Sequence, residues 1–367
     1  MRILVLNAIL FTAERDVIPR VKSIKDTMIY NMCLGFNKLG HEITLVAAED
    51  YRPENLEQYA FNVLFFKSKW RKVCKPSVLP YLPDLKDYLK KSKDKFDMIL
   101  SSEVFSLLTL DAAIVCPEKL LIWQEVNVHQ KKFHEIPSKV WHNLVVPMFM
   151  KKIRVVARSE SARNYIRQFC ANVSDICVEH GMNLDKFRFS AEKKRQIIAS
   201  SQLIPRKRVD YVIRRFAELH QLDAFKDIRL LIAGRGVLEG ELKQLAKDLE
   251  VADSVDFLGF VTQKELNSCI MESMCFLLNT QRDLNVVSIP EAVVSGTPVL
   301  MNSVPASASY IQAKELGIVQ DDWGVSELVK IINDNERYVA NCIRFREKLS
   351  NVHMAQMLID IFKSDAC

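Results

Sequence analysis

The sequence predicts an α/β protein made of two doubly wound, parallel-sheet domains. Three observations carry that expectation. The apolar runs are short, rich in Val, Ile and Leu, and separated by amphipathic stretches, the pattern of strands covered on both faces by helices. The pattern stops at a polar, charged segment, EHGMNLDKFRFSAEKKRQ (residues 179–196), and then starts again. A chain of 367 residues is also longer than one ordinary core organises.

Element by element, strands are expected in the first half at residues 3–6, 42–47, 62–66, 97–101, 119–123 and 152–157. In the second half they are expected at 196–200, 228–233, 255–258, 275–278 and 298–301. Helices fill the intervals, for example at 209–222 and 238–249. The former places Val212, Ile213, Phe216 and Leu219 on one face at helical spacing. Residues 1–178 then form a first domain, 179–350 a second, and 351–367 a terminal helix packing back on the first. In folds of this kind ligands bind at the carboxyl ends of the strands, in a cleft between the domains.

Composition excludes several classes. Nearly half the residues are apolar and about a quarter are charged, a globular profile, and no run approaches the ~20 apolar residues of a membrane span. The opening MRILVLNAILF reads as a buried first strand, not a leader. Nine cysteines without a C-x-x-C fit a reducing cytoplasm, and seven histidines without an H-x-x-x-H pair give no metal motif. A net charge of +6 does not indicate nucleic acid. It is concentrated locally in KSKWRKVCKP (residues 67–76), which has five cations and no acid. Two readings of that stretch stay open: a solvated loop, or a patch facing anionic lipid with Trp70 at the interface.

Three segments carry chemistry. LLIAGRGVLEGEL (residues 230–242) holds Gly234, Gly236 and Gly240 between a strand and a helix. That spacing suits an anion site around Gly234 and Arg235, a dinucleotide fingerprint with Asp253 or Asp256 on the ribose, or a tight turn without ligand chemistry. IIASSQLIPRKRVDYVIRRF (residues 197–216) puts Lys207 at the carboxyl end of a strand, where it suits a phosphate or stands as one of three solvated cations with Arg206 and Arg208. QRDLNVVSIPEAVVSGTPVL (residues 281–300) holds Asp283 and Glu291 with seven residues between them. There SIPE matches a capping box, Ser288 accepting from the Glu291 amide and Glu291 reaching back.

In this order and spacing, the three segments and SVDFLGFVTQKEL between them resemble the nucleotide-sugar-binding half of retaining GT-B glycosyltransferases. The family is glycosyl transferases group 1, or glycosyltransferase family four. The resemblance implies the GT-B fold, two doubly wound Rossmann-like domains facing across a cleft. It implies that Lys207 holds the donor diphosphate and that Glu291 accepts from the ribose hydroxyls. The amides of Asn285, Val286 and Val287 would face the phosphates, and Asp283 would lie against the transferred sugar. Departures are visible: Asp283 is one methylene shorter than the usual Glu, and Leu284, Asn285 and Val286 replace a glycine-rich triplet. Gln202 stands where the family has an arginine, with Arg206 or Arg235 as substitutes. On the acceptor side, Glu125 and His129 follow the LLIW strand as catalytic candidates.

The implied reaction is metal-independent transfer, with retention, of a sugar from a nucleoside diphosphate sugar to an acceptor hydroxyl. No cofactor is expected beyond that donor. The expected partners are the donor and a saccharide or lipid-linked acceptor in surface polysaccharide or glycolipid synthesis, at the cytoplasmic face of a membrane, with no nucleic acid. A nucleotide-sugar epimerase, a degenerate nucleotide-sugar-binding subunit and a dinucleotide oxidoreductase are the alternatives.

Overall fold

The computed structural model describes residues 1–11, 21–55, 57–130, 134–283 and 286–364. It divides into two compact units, Met1–Asn183 with Ser350–Cys367, and Leu184–Leu349. The chain therefore passes between units twice, at residues 183–184 and 349–350.

Among the described residues, the first unit carries a six-stranded parallel sheet. Its strands are β1 (Arg2–Leu6), β2 (Glu42–Ala48), β3 (Asn62–Phe66), β4 (Met98–Ser102), β5 (Leu120–Gln124) and β6 (Arg154–Ala157). They lie in the order β3-β2-β1-β4-β5-β6. The strands β1 and β4 at the centre pair in register from Ile3 opposite Met98 to Leu6 opposite Ser101. Four of five β1 residues and four of five β4 residues are buried, because helices cover both faces of a parallel sheet.

The terminal helix Asn351–Lys363 belongs to this core through Met354, Ala355, Leu358, Ile359 and Ile361. It lies close against the helix Met28–Lys38, where Asn351 Nδ2 donates to the Asn31 carbonyl at 2.6 Å. Gly35 permits the approach: a Cβ there would stand 2.2 Å from the Asn351 carbonyl oxygen.

The second unit repeats the plan. Its strands are β7 (Lys194–Ser200), β8 (Arg229–Ala233), β9 (Val255–Gly259), β10 (Ser273–Leu278), β11 (Val299–Met301) and β12 (Gly317–Val319). They form a parallel sheet of order β12-β11-β10-β7-β8-β9. The amphipathic helix Val209–His220 buries Val212, Ile213, Phe216 and Leu219 against it, the face that the helical spacing selects. Every expected strand is present with its ends within two residues. The addition is β12, whose three residues are too short a run to stand out from its surroundings. Among the described residues, no helix is long and apolar enough to cross a membrane.

Candidate functional site

In the second unit the chain runs outward from β7 to β9, then returns to the other side of β7 with β10. The loops after β7 and β10 must therefore diverge, and the gap between them is where doubly wound sheets hold ligands. Lys207 follows β7 and Asp283 follows β10. Across this switch point Lys207 Nζ stands 2.6 Å from Asp283 Oδ2, with both side chains nearly buried. Arg206 Nη1 donates to Asp283 Oδ1 at 2.5 Å and to the Arg282 carbonyl at 3.0 Å. Thr280 Oγ1 donates to Asp283 Oδ2 at 2.7 Å. Asn302, just past β11, fixes Thr280 from both sides, accepting from its amide and donating to its carbonyl. Burial alone would push the Asp283 carboxyl up. The hydrogen bonds from Lys207 and Thr280, with the Lys207 charge and Arg206, outweigh it and hold the carboxyl below the usual aspartate range.

The AGRG turn after β8 serves this arrangement from below. Gly234 has φ 135°, and a Cβ on it would stand 1.9 Å from the Ser201 carbonyl oxygen. A Cβ on Gly236 would stand 2.3 Å from that of Leu203. The two glycines thus let the β7 loop lie directly on the β8 turn, pinned by Leu203 N–H to the Arg235 carbonyl at 2.9 Å. The Gly234 amide is engaged by the Gly259 carbonyl at 2.7 Å. Arg235 is exposed, its Nε passing beside Gly259. Gln202 is partly buried beside the same loop, and its carbonyl accepts from the Ile204 amide at 3.0 Å.

The SIPE segment departs from expectation. The helix runs Ser288–Val294 with Val287 as its N-cap, and no side chain caps it. The Glu291 amide donates to the Val287 carbonyl at 3.2 Å, so Ser288 is the first helical residue, not the cap. The capping box is therefore absent, and Glu291 is free of that role. Its side chain is buried, and Oε1 accepts from Gln263 Nε2 at 3.2 Å, at the start of the helix Gln263–Glu272. Desolvation pushes its carboxyl up to about 7, only partly opposed by the Gln263 hydrogen bond. Val286 is buried at the helix entrance and Val287 is partly exposed; Asn285, with Leu284, lies outside the described residues. In the first turn of this helix the Ile289 amide donates to the Val286 carbonyl at 3.1 Å and Pro290 has no amide hydrogen.

In the first unit the acceptor-side candidates separate. The Glu125 carboxylate pairs with Arg158 just past β6, whose guanidinium stacks 3.8 Å from the Trp123 ring centroid and also contacts His180. Glu103, just past β4, accepts from the amides of Glu125 and Val126 at 2.8 and 3.3 Å. Burial pushes its carboxyl up to about 7, against the opposing pull of Arg158. His129 lies elsewhere, with Nδ1 3.1 Å from Ser138 Oγ and 3.0 Å from the Tyr165 hydroxyl, amid the rings of His142, Tyr165 and Phe169. The structure thus brings Asp283, Lys207 and Arg206 together and seats Glu125 and His129 in separate networks. Residues absent from the sequence reading are Glu103, Arg158, Gln263 and Thr280. Only Glu103 carries a sequence signal, an acid at the very end of a buried strand.

Comparison with known proteins agrees with this geometry. Residues 183–344 match the family model Glycosyl transferases group 1, which spans the whole Lys207–Asp283–Glu291 region. That segment is a glycosyl transferases group 1 domain, and the protein is a glycosyltransferase enzyme. It is 22% identical over 326 residues to an uncharacterized glycosyltransferase of Haemophilus influenzae, covering 84% of this chain and 86% of that protein. It is 21% identical to the alpha-monoglucosyldiacylglycerol synthase of Streptococcus pneumoniae, covering 82% and 72%. Among solved structures it is similar to Anabaena HepE in complex with UDP, with TM-score 0.67 and 15% identity over 99% of this chain and 100% of that one. WaaG, a glycosyltransferase involved in lipopolysaccharide biosynthesis, gives TM-score 0.63 and 13% identity over 98% and 99%. The fold is that of the GT-B glycosyltransferases.

Proposed function

We propose that the protein transfers a sugar from a nucleoside diphosphate sugar to an acceptor hydroxyl, with retention at the anomeric carbon and without a metal. The observation that carries this reading is the meeting of Lys207 and Arg206 with Asp283 across the β7/β10 switch point, within the group 1 domain. In the proposed complex Lys207 and Arg206 bear on the diphosphate, whose leaving negative charge they stabilise in place of a metal. The helix entrance at Val286 and Val287, with Asn285, adds backbone donors. Gly234, Gln202 and Arg235 shape the wall below, and Glu291 accepts from the ribose hydroxyls. Asp283 lies against the transferred sugar, and Glu125 and His129 stand on the acceptor side.

The acceptor we propose is a saccharide or lipid-linked saccharide, made into surface polysaccharide or glycolipid on the cytoplasmic side of a membrane. The HepE complex with UDP supports the donor class, and the name of the Streptococcus pneumoniae relative, alpha-monoglucosyldiacylglycerol synthase, supports a glycolipid product. An epimerase, a silent subunit and an oxidoreductase draw no support from these relatives, which are named as glycosyltransferases or synthases.

A thermal-shift screen against nucleoside diphosphate sugars tests the donor. Saturation at 100 times Kd should stabilise the protein by ~2.7 kcal/mol. A shift with a nicotinamide dinucleotide and none with any nucleotide sugar overturns the reading.

A further inference from the structure

β3 is the outer strand of the first sheet and pairs on one side only, with β2. Residues 63–66 of β3 are all half-buried, whereas β1 and β4 are buried almost throughout. Successive residues of a strand point to opposite faces, so neither face of β3 is fully covered. The helix Pro83–Ser92 packs on the sheet through Leu85 and Leu89 and brings Tyr88 beside the strand. Between β3, Tyr88 and the connection that follows β2 lies a cleft of about 430 Å³. That is the size of a small-molecule site.

Two kinds of side chain line it. Tyr59, Phe65, Phe66 and Tyr88 supply aromatic walls. The ring centroids of Phe66 and Tyr88 are 5.5 Å apart, edge to face, and the Arg52 guanidinium lies 4.6 Å over the Phe65 ring. Arg52, Asn55 and Glu57 supply polar ends. The Glu57 side chain accepts from the Tyr59 hydroxyl. Burial, and then that hydrogen bond, push the hydroxyl up to about 12, so it stays a donor. Glu57 Oε2, in contrast, is buried without a hydrogen-bond donor. A buried polar atom left in that state is costly, and a bound molecule that donates to it removes the cost.

These groups select the ligand. Arg52 is the one cation among the described lining residues and already pairs with Glu49 at 3.2 Å, while Glu57 is an acid, so an anion gains little. An aliphatic chain would cover the rings but leave Arg52, Asn55 and Glu57 desolvated without partners. A neutral saccharide meets both demands. The C–H faces of its rings lie on aromatic rings, and its hydroxyls donate and accept at the rim. The place also suits one. Arg52 follows β2, and Phe65 and Phe66 end β3, so the cleft lies at the carboxyl edge of the sheet, where Glu103 leaves β4. Two strand spacings, about 10 Å, set β3 apart from β1 and the switch point beside it.

We propose that the β3 cleft binds a neutral saccharide, the part of an acceptor chain that lies away from the hydroxyl being glycosylated. The proposal rests on the reading of the acceptor as a saccharide.

The test is saturation-transfer NMR and calorimetry on the full chain, without donor, against neutral tetrasaccharides of α- and β-linked glucose, galactose and N-acetylglucosamine. At least one should bind, with saturation passing from the protein's aromatic protons to ring C–H protons of the sugar. Glu57→Ala and Arg52→Ala should each weaken that binding by ~10-fold, as the loss of a hydrogen bond to a charged group. If Glu57→Ala fails to fold, Arg52→Ala, which alters an exposed side chain, decides. Absence of binding by every tetrasaccharide, or equal binding by the folded variants, overturns the proposal. Failure of the transfer reading would show differently, as no response to any nucleoside diphosphate sugar with tetrasaccharide binding intact.

Discussion

The two sheets share one plan. Numbering strands within each unit, both run third, second, first, fourth, fifth, sixth, and both switch direction between the first and the fourth. Both also place an acid after the fourth strand, Glu103 in one and Asp283 in the other. Their surroundings then diverge. Glu103 is held by the backbone amides of Glu125 and Val126, and its carboxyl is pushed up to about 7. Asp283 is held by Lys207, Arg206 and Thr280, and its carboxyl is pulled down. Topology thus chooses the place of the acid, while the groups that reach it choose its charge: Arg158 and the amides after the fifth strand at Glu103, and the loop after the first strand at Asp283. In the second unit that loop carries RKR.

The contrast can be broken most forcefully at Lys207. Lys207→Ala removes the cation from the proposed diphosphate position and should lower turnover with a nucleotide sugar by ~10²–10³. Steady-state kinetics on the folded variant would show it, and unchanged kcat/KM would remove Lys207 from the chemistry.

Glu291→Gln keeps shape and burial but not charge. Nucleotide affinity, read by calorimetry, should fall by ~10–100-fold, by analogy with a charged hydrogen bond. Its stability signature has a worked sign. A folded-state carboxyl raised from 4.5 to about 7 binds more protons than the unfolded one, so stability falls as pH rises through that window. By pH 8 the wild type should have lost up to ~3 kcal/mol that the Gln variant retains. Glu103→Gln should flatten the same window with nucleotide affinity intact, which separates the two acids by function. An affinity loss in both would erase the comparison.

Asp283 carries the opposite sign. Its lowered carboxyl contributes stability above its unfolded value near 3.8, and that contribution is lost on acidification. Asp283→Asn releases Lys207 and Arg206, so a free nucleoside diphosphate should bind about tenfold tighter while sugar transfer declines. Weaker diphosphate binding would mean that Asp283 positions the cations and does not compete for them.

The smallest effect is expected at His129, whose partners are Ser138, Tyr165 and neighbouring rings. His129→Phe should cost ~1 kcal/mol of stability, with turnover unchanged within about twofold. A loss of ~10² in turnover at constant stability would restore it as a proton-transfer group.

Most of the fold was legible because buried parallel strands have to be near-continuous apolar runs, and β1, β4, β7 and β10 are. Lys207, Asp283 and Glu291 stand out in the sequence only as members of an ordered set of motifs, each at a fixed offset from a strand end; the structure adds that Lys207 meets Asp283 and that Glu291 is buried. SIPE was misread for a physical reason: a capping box and an ordinary first helical turn share the same letters. What separates them is the backbone of Val287: it is already helical, so the chain has entered the helix before Ser288, which cannot then be its cap. The anion-cradle reading of AGRG also required coordinates. They show the Gly234 amide held by the Gly259 carbonyl, and both glycines answering to the β7 loop.

Strand spacing, helix faces and the offsets of Lys207, Asp283 and Glu291 are local properties, set by side-chain periodicity and turn chemistry along the chain. Which partner each acid takes is not local. Lys207 and Asp283 are 76 positions apart, and β10 returns beside β7 only after two other strands have been laid down. Burial is likewise a sum over many distant atoms. Desolvation that lifts Glu291 to about 7, and the cations that overcome it at Asp283, therefore emerge only once the sheet is assembled.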